Sequence, residues 1–515
     1  MKAPLNNFPF VAGSYQSRSP NFDAQRTVNL YPEASGSGTS KTIAMLIGTP
    51  GLQTWGTVSP PPGKVASCIR GMIAFNSSRA ILVGGESVEY QDSTAAGGAS
   101  GILGTIPLAL TAVSMATNGQ IVMLVTGSNG YFIDPVALTM TQIVDPAFVG
   151  ADVVWFINGR FVWNRPGTQV YQWSELYSTV IDPLAFASAE GAPDLLVSLI
   201  ASNKELILLG ETSTEFHINS GDPDAVFEPI QGAFIEQGCA AKFSVAKMTD
   251  GSGTGIVLFL SRNESGQGMF VKLVGYQPQR ISDSALEYQL AQYSRIDDAQ
   301  AYTYQQEGHS FYMVSFPTAN KTWCYDTSTE LWHERASLLG NSPNVALGRH
   351  RSNCHLFFDG KHLVGDFETN VIHEFRLDIP VDGFPGGPES NYTFARPIVA
   401  IRQCPHLSAD DSWQLFHELW IDMQTGVGLS ADIVASGANS VSGGKDPSLI
   451  LEWSDDGGHT FPYSREVKIG KIGERNYRAL ARRLGKSRDR VFRVTITDPV
   501  KRVFLGAGCR TSVAA

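Results

Sequence analysis

The stretch Val153-Val154-Trp155-Phe156-Ile157-Asn158-Gly159-Arg160-Phe161-Val162-Trp163-Asn164 decides the fold. Two apolar runs meet at Asn158-Gly159. Both residues of that dipeptide tolerate the positive φ that a two-residue hairpin turn demands. The runs therefore read as two antiparallel strands, and Gln169–Ser174 supplies a third.

The same grammar recurs on either side. Upstream lie Ala112–Ala116, Asn118-Gly119, Gln120–Val125 and Tyr131–Asp134. Before them come Ser67–Phe75, Ala80–Val83 and Ser87–Tyr90. Downstream lie Leu195–Ala201, Asn203-Lys204, Glu205–Gly210 and Thr214–Asn219. The four units open at Ser67, Thr111, Asp152 and Leu195, spaced 44, 41 and 43 residues apart. Looser units follow around Phe243–Val274, Asp298–Glu334 and Ala346–Arg376. Each is a small meander that cannot bury both faces alone, and stacking such sheets around an axis covers them. A period of roughly 40–45 residues suits a four-stranded blade. The expectation is an all-β chain with a β-propeller of six or seven blades over residues 63–381. The competing reading is an irregular pair of sandwiches with accidental spacing.

The flanks divide accordingly. Residues 1–62 are rich in Asn, Pro, Ser and Gly and read as an extended N-terminal arm. It wraps the ring, supplies a strand that closes it, or reaches a neighbouring subunit. Residues 382–391, with Asp382-Gly383-Phe384-Pro385-Gly386-Gly387-Pro388, read as a linker. Residues 392–515 read as a C-terminal antiparallel β-sandwich. Its expected strands are Pro397–Gln403, Glu418–Gln424, Ser448–Ser454, Ser464–Ile469, Val491–Thr497 and Arg502–Leu505, with a short helix at Asn476–Leu484.

With 515 residues, 43% apolar and 17% charged, the chain can bury a large core in two or three domains. The six cysteines form no CxxC pair, which argues against a zinc knuckle or a disulfide framework and for reduced thiols. Met1–Tyr15 lacks a basic start followed by an apolar run, and no stretch approaches the length of a membrane span. Neither a signal peptide nor a membrane anchor is expected.

Net charge is −10, which opposes non-specific coating of DNA. Between Arg465 and Arg502, however, 13 Lys/Arg stand against 4 acids. Arg475, Arg478, Arg482, Arg483, Lys486, Arg488 and Arg490 form a basic strip suited to DNA or to an acidic partner. Without a base-reading motif, any DNA contact is expected to be independent of sequence. The alternative is an ordinary solvated hairpin.

Ser454, Asp456, Gly458, Thr460 and Phe461 match the Asp-box pattern S-x-D-x-G-x-T-[FW]. Here it reads as a structural hairpin turn, with Asp456 accepting loop N–H bonds. The acid pairs Asp297-Asp298 and Asp410-Asp411 are adjacent in sequence, so as strand neighbours they point to opposite faces. His350 and His355 flank a turn and read as solvated rather than as metal ligands. There is no HExxH, GxSxG, P-loop or dinucleotide fingerprint. No enzyme activity, catalytic residue, cofactor or metal is expected.

Several segments, in order, resemble the packaged-DNA stabilisation proteins of Salmonella-type short-tailed phages, also called tail hub or nozzle proteins. They are Thr49-Pro50-Gly51-Leu52, Asn158-Gly159-Arg160-Phe161-Val162-Trp163, Gly210-Glu211-Thr212-Ser213-Thr214-Glu215, Gln237-Gly238-Cys239-Ala240-Ala241 and Val491-Phe492-Arg493-Val494-Thr495. The resemblance implies a virion tail protein assembled in the host cytoplasm as a ring, expected to be a homohexamer, below the portal and its adaptor ring. It implies retention of packaged double-stranded DNA, a channel for ejection, and contacts with needle, spike or fibre proteins. A second reading is a glycan-binding or glycan-cleaving propeller. It requires a central pocket of Arg, carboxylates and Tyr, for which Tyr288, Tyr293, Arg295 and Asp297 are the candidates.

Overall fold

The computed structural model describes residues 5–36, 39–222, 225–249, 255–263, 265–340, 345–384, 396–434 and 442–513. Among them, four-stranded antiparallel sheets follow one another around an axis. Six are consecutive meanders, opening with Ile69–Ala74, Ser114–Thr117, Val154–Ile157, Leu196–Ser202, Ala246–Thr249 and Gln300–Gln306. A seventh is composite. Ser352–Phe358, Lys361–Asp366 and Val371–Arg376 take their fourth strand, Gly51–Thr57, from far upstream. Ser352–Phe358 packs beside Ile69–Ala74, where Asn353 Nδ2 donates to the Ile69 carbonyl at 2.9 Å, so the last blade meets the first. The β-propeller and the sandwich expected from the sequence are both present, and the reading as two irregular sandwiches falls.

Local chemistry explains the blades. In the third, Asn158 (φ 50°) and Gly159 (φ 79°) turn between Val154–Ile157 and Arg160–Asn164, pairing Ile157 with Arg160. Inner strands are apolar throughout because neighbouring blades cover both faces. Along Val122–Val125, Val122 and Leu124 enter the core shared with the first blade, while Met123 and Val125 enter the core shared with the third. After the fourth blade the spacing stretches. The helix Ser284–Ala291 precedes the sixth blade and the hairpin Ala336–Leu339/Ala346–Arg349 precedes the seventh. That helix is capped by Asp283, which accepts from Leu286 N at 2.7 Å, and it buries Leu286 and Leu290.

Two sheets form the C-terminal module. One orders Leu30–Ala34, Ala44–Gly48, Val503–Val513, Gln414–Met423 and Ala479–Arg482. The other carries Ala400–Gln403, Asp489–Ile496, Ser448–Ser454 and Tyr463–Lys468, and continues into the sixth blade through Ala24–Val28. Period-two alternation, shifted by an irregularity between Phe416 and Glu418, sends Leu449 and Leu451 from one sheet, and Phe416, Leu419 and Ile421 from the other, into a common core.

Two sequence expectations change, and one of the alternatives left open is settled. The short helix at Asn476–Leu484 does not form. Ala479–Arg482 is a strand paired with Gln414–Met423, because Ala479 and Ala481 alternate into the core. The N-terminal segment supplies a strand that closes the ring, one of the outcomes expected of it: Gly51–Thr57 completes the seventh blade, while Leu5–Phe8 pairs with Val503–Val513 in the sandwich. Buried Arg402 ties this segment down, donating to Phe10 O at 2.6 Å, Thr27 Oγ1 at 3.0 Å and Gln25 Oε1 at 2.5 Å. Of residues 382–391, expected as a linker, Asp382 to Phe384 lie in the strand Val381–Phe384, parallel to Gly51–Thr57. Residues 385–391 lie outside the described residues.

Candidate functional site

The axis of the propeller holds a small cavity. Side chains from the seven innermost strands and the segments leading into them line this cavity of about 280 Å³, among them Arg70, Trp155, Lys242, Tyr302 and His355. Its cations are already engaged. Arg70 donates to the carbonyls of Thr111, Gly85 and Pro107 at 2.8, 2.9 and 3.0 Å, and Lys242 pairs with Asp152 at 2.6 Å. His355 meets His362 at 3.0 Å and stacks on Tyr302. His350 is buried, not solvated, with its Nδ1 2.7 Å from Ser352 Oγ. Burial lowers both His350 and His355 to about 3, so both are neutral at physiological pH. Among the described residues no group of three or more His, Cys, Asp or Glu is arranged to hold a metal ion. Five of the six free cysteines are buried; Cys354 is half-buried.

The four residues a glycan site would need do not line this cavity. Tyr288 is on the helix Ser284–Ala291, and Tyr293 accepts from Trp323 Nε1 at 2.9 Å. Arg295 and Asp297 pair with each other at 2.7 and 3.0 Å on the surface.

The basic strip divides in two. Arg475, Arg478, Arg482, Arg483, Lys486 and Arg488 are exposed around the edge strand Ala479–Arg482 and the short strand Lys486–Ser487. Trp413 lies beneath Lys486 and Arg488, whose cationic groups stand 5.1 and 5.2 Å from its ring centre. Arg482 reaches Glu418 at 3.4 Å and Arg488 reaches Asp411 at 3.5 Å. Arg490 departs from the expectation of a contact residue. It is 1% exposed, grips Asp455 at 2.6 and 2.9 Å, donates to Leu484 O at 2.7 Å, and stands 4.3 Å from the Phe416 ring centre. Strand alternation points it into the sandwich, where only a paired cation is tolerated.

The Asp-box turn joins Ser448–Ser454 to Tyr463–Lys468. Ser454 Oγ donates to Asp456 at 2.5 Å and accepts from Gly458 N at 2.9 Å, while Thr460 N and Oγ1 donate to Asp456 at 3.0 and 2.6 Å. The Ser454 hydroxyl, then Thr460, hold the Asp456 carboxyl down at about 2. Gly457 and Gly458 take φ of 72° and 89°. Phe461 lies under the Arg493 guanidinium at 3.9 Å.

The segments that carried the resemblance are packing devices. A Cβ on Gly51 would stand 2.1 Å from Ile379 O, and one on Gly238 would stand 2.3 Å from backbone atoms of Glu211 and Thr212. Asp194 accepts from Thr212 N and Ser213 N at 2.7 and 2.9 Å, fixing the turn at Gly210–Thr214.

Residues 6–379 match the family model described as bacteriophage P22 Gp10, beta-propeller, and residues 400–512 match the model described as bacteriophage P22 Gp10, beta-sandwich. The chain belongs to the P22 Gp10 family. As a Gp10 relative it is a structural protein of a phage tail, and both matched families are structural rather than enzymatic. No curated protein sequence matches it. Similar solved structures include the WD40 beta propeller domain of Doa1 (9% identity, 63% of this chain and 97% of that one, TM-score 0.38). Others are Kuenenia stuttgartiensis hydrazine synthase (10%, 62% and 99%, 0.39) and YCF48 bound to D1 peptide (11%, 64% and 97%, 0.36). Among the described residues no helix of this Gp10 relative is long and apolar enough to cross a membrane.

Proposed function

We propose that this protein is a tail hub or nozzle subunit. It sits below the portal and its adaptor ring, retains packaged DNA, and forms the ejection channel as a ring of copies, a hexamer. The observation that carries this reading is the match of both Gp10 modules, in order, over nearly the whole chain. Charge supports it. Residues 63–381 hold 32 Asp/Glu against 18 Lys/Arg, and a negative wall does not trap a passing polyanion. Because the axis of a single propeller is a small cavity, the channel belongs between copies. The partners in this reading are further copies, the adaptor ring, and needle, spike or fibre proteins. Double-stranded DNA passes without sequence reading, and assembly takes place in the host cytoplasm.

The test is reconstitution on purified portal–adaptor complexes, read by electron microscopy. A ring of copies coaxial with the adaptor is expected, and filled heads lacking the protein should leak DNA. Monomers alone, with the adaptor ring present, would overturn the reading.

A further inference from the structure

Two exposed surfaces of opposite character stand far apart in the sequence. The first is the loop 174–185 in the third blade, between Val170–Trp173 and Phe186–Ser188. It is held in one shape. Tyr177 N donates to Gly159 O at 2.6 Å, Glu175 N to Val180 O at 3.0 Å and Leu184 N to Asp182 Oδ1 at 2.8 Å, while Ile181 is buried as an anchor. Yet Leu176, Tyr177, Val180 and Leu184 are exposed, Leu184 at 80%. Tyr177 holds φ 48°, a left-handed conformation costly for a bulky residue. A pinned loop that holds four apolar side chains in water marks an interaction site rather than a slack connection. Its exposed carboxylates, Glu175 and Asp182, have no cationic partner among the described residues.

The second surface is the outer face of the sandwich along Gln414–Met423, running from Trp413 and Leu415, each about two-fifths exposed, to half-buried Trp420, whose ring centre lies 5.9 Å from the Arg478 guanidinium. Along this stretch, from Lys486 beside Leu415 to Arg478 over Trp420, Arg478, Arg483 and Lys486 have no carboxylate partner among the described residues. This face therefore has an apolar and aromatic centre and a surplus of positive charge.

We propose that these two surfaces bind each other in trans: the acidic, apolar loop 174–185 of one copy seats on the basic, aromatic sandwich face of the next. The inference rests on the ring reading above and names its contact. Neither surface suits itself. Loop on loop would oppose carboxylates, and face on face would oppose cations. A contact between two different patches is heterologous, so it propagates until the rotation closes into a ring. Trp, Tyr and Arg are the residue types that anchor protein interfaces. Duplex DNA on the basic face would leave the apolar loop unused, and Leu415 gives nothing to a phosphate backbone.

Complementation tests it. A loop variant carries L176D and L184D, and a face variant carries R478E and K486E. All four positions are exposed, so both variants should melt like the wild type. Sedimentation velocity is run on the full-length wild type, on each variant, and on an equimolar mixture. The wild type is expected to form rings, and each variant alone to be monomeric, its association weakened by at least about tenfold. The mixture should give one-to-one dimers and nothing larger, because the loop variant keeps a working face and the face variant a working loop. Variants that assemble like the wild type sink the contact alone and leave the ring reading standing. The contact also fails if the mixture stays monomeric while the wild type forms rings. A wild type that never associates, even with the adaptor ring, sinks both readings. A face variant that loses retention of duplex DNA but still assembles gives that face to DNA and overturns the proposal.

Discussion

Replacing Arg490 with alanine should cost the protein about 3 kcal/mol of stability, whereas replacing nearby Arg483 should cost nothing measurable. The guanidinium of Arg490 is buried and makes two bonds to Asp455, at 2.6 and 2.9 Å, and one to the Leu484 carbonyl at 2.7 Å. Removing one partner of a buried ion pair costs roughly 3–5 kcal/mol, because the other charge is left behind. The Asp455 side chain is 29% exposed and regains water, so the lower end applies. A loss of that size lowers the melting temperature by roughly 6–12 °C for a domain of this scale. Arg483 is exposed and unpaired among the described residues, so its substitution stays within about 0.5 kcal/mol. Thermal melting followed by tryptophan fluorescence suits the measurement, since the Trp453 ring centre lies 5.9 Å from the Arg490 guanidinium. An Arg490→Ala protein that melts within about 1 °C of the wild type would refute the reasoning.

Acid should loosen the closing blades. His350 titrates near 3 in the fold, below the ordinary value of 6.5, because burial disfavours its charge. The folded state thus binds fewer protons, so this contribution is complete above about pH 6.5 and is lost as pH falls towards 3, on the order of 2 kcal/mol by pH 5. Hydrogen exchange at pH 7 and pH 5 should show protection falling first in Gln300–Gln306 and Ser352–Phe358, and uniform loss would contradict this. Asp456, held at about 2, stabilises its hairpin above the ordinary carboxyl range, and that help is lost as pH falls through 2. Protection of the Gly458 and Thr460 amides, taken relative to their intrinsic exchange rates, should fall on acidification and lose that pH response in Asp456→Asn; a pH-dependent protection surviving in that variant counts against the assignment. Gly51→Val should prevent closure of the seventh blade, because its Cβ would meet the Ile379 and Val381 carbonyls at 2.1 and 2.4 Å. Limited proteolysis should then cut near residue 60, and wild-type resistance would show that the backbone yields.

Much of the fold is written locally. Asn158-Gly159 and Asn118-Gly119 announce hairpins because their side chains and φ preferences act within four residues, and the apolar runs beside them announce blades covered on both faces. Asn118 Oδ1 accepts from Gln120 N and Ile121 N at 2.8 and 2.7 Å, a turn legible without any neighbour. Residues 476–484 misled because Arg478, Arg482 and Arg483 favour helix, while the pairing of Ala479–Arg482 with Gln414–Met423 depends on a strand some sixty residues away. The basic strip was half legible: charge counts locate it, but the strand register sends Arg490 inward and leaves Arg482 outside.

The sequence by itself determined the repeat of the propeller, the alternation of the sandwich, the Asp-box turn and the segments that mark the Gp10 family. All of these rest on interactions between near neighbours. Only the tertiary structure decided that Gly51–Thr57 completes the seventh blade, and that Ala24–Val28 joins the sixth blade to the sandwich. It alone showed that His350 and Arg490 are interior, and that loop 174–185 is pinned with its apolar side chains in water. Those outcomes depend on pairings across more than three hundred residues, where the partner that satisfies a strand edge or a buried charge leaves no mark in the local pattern.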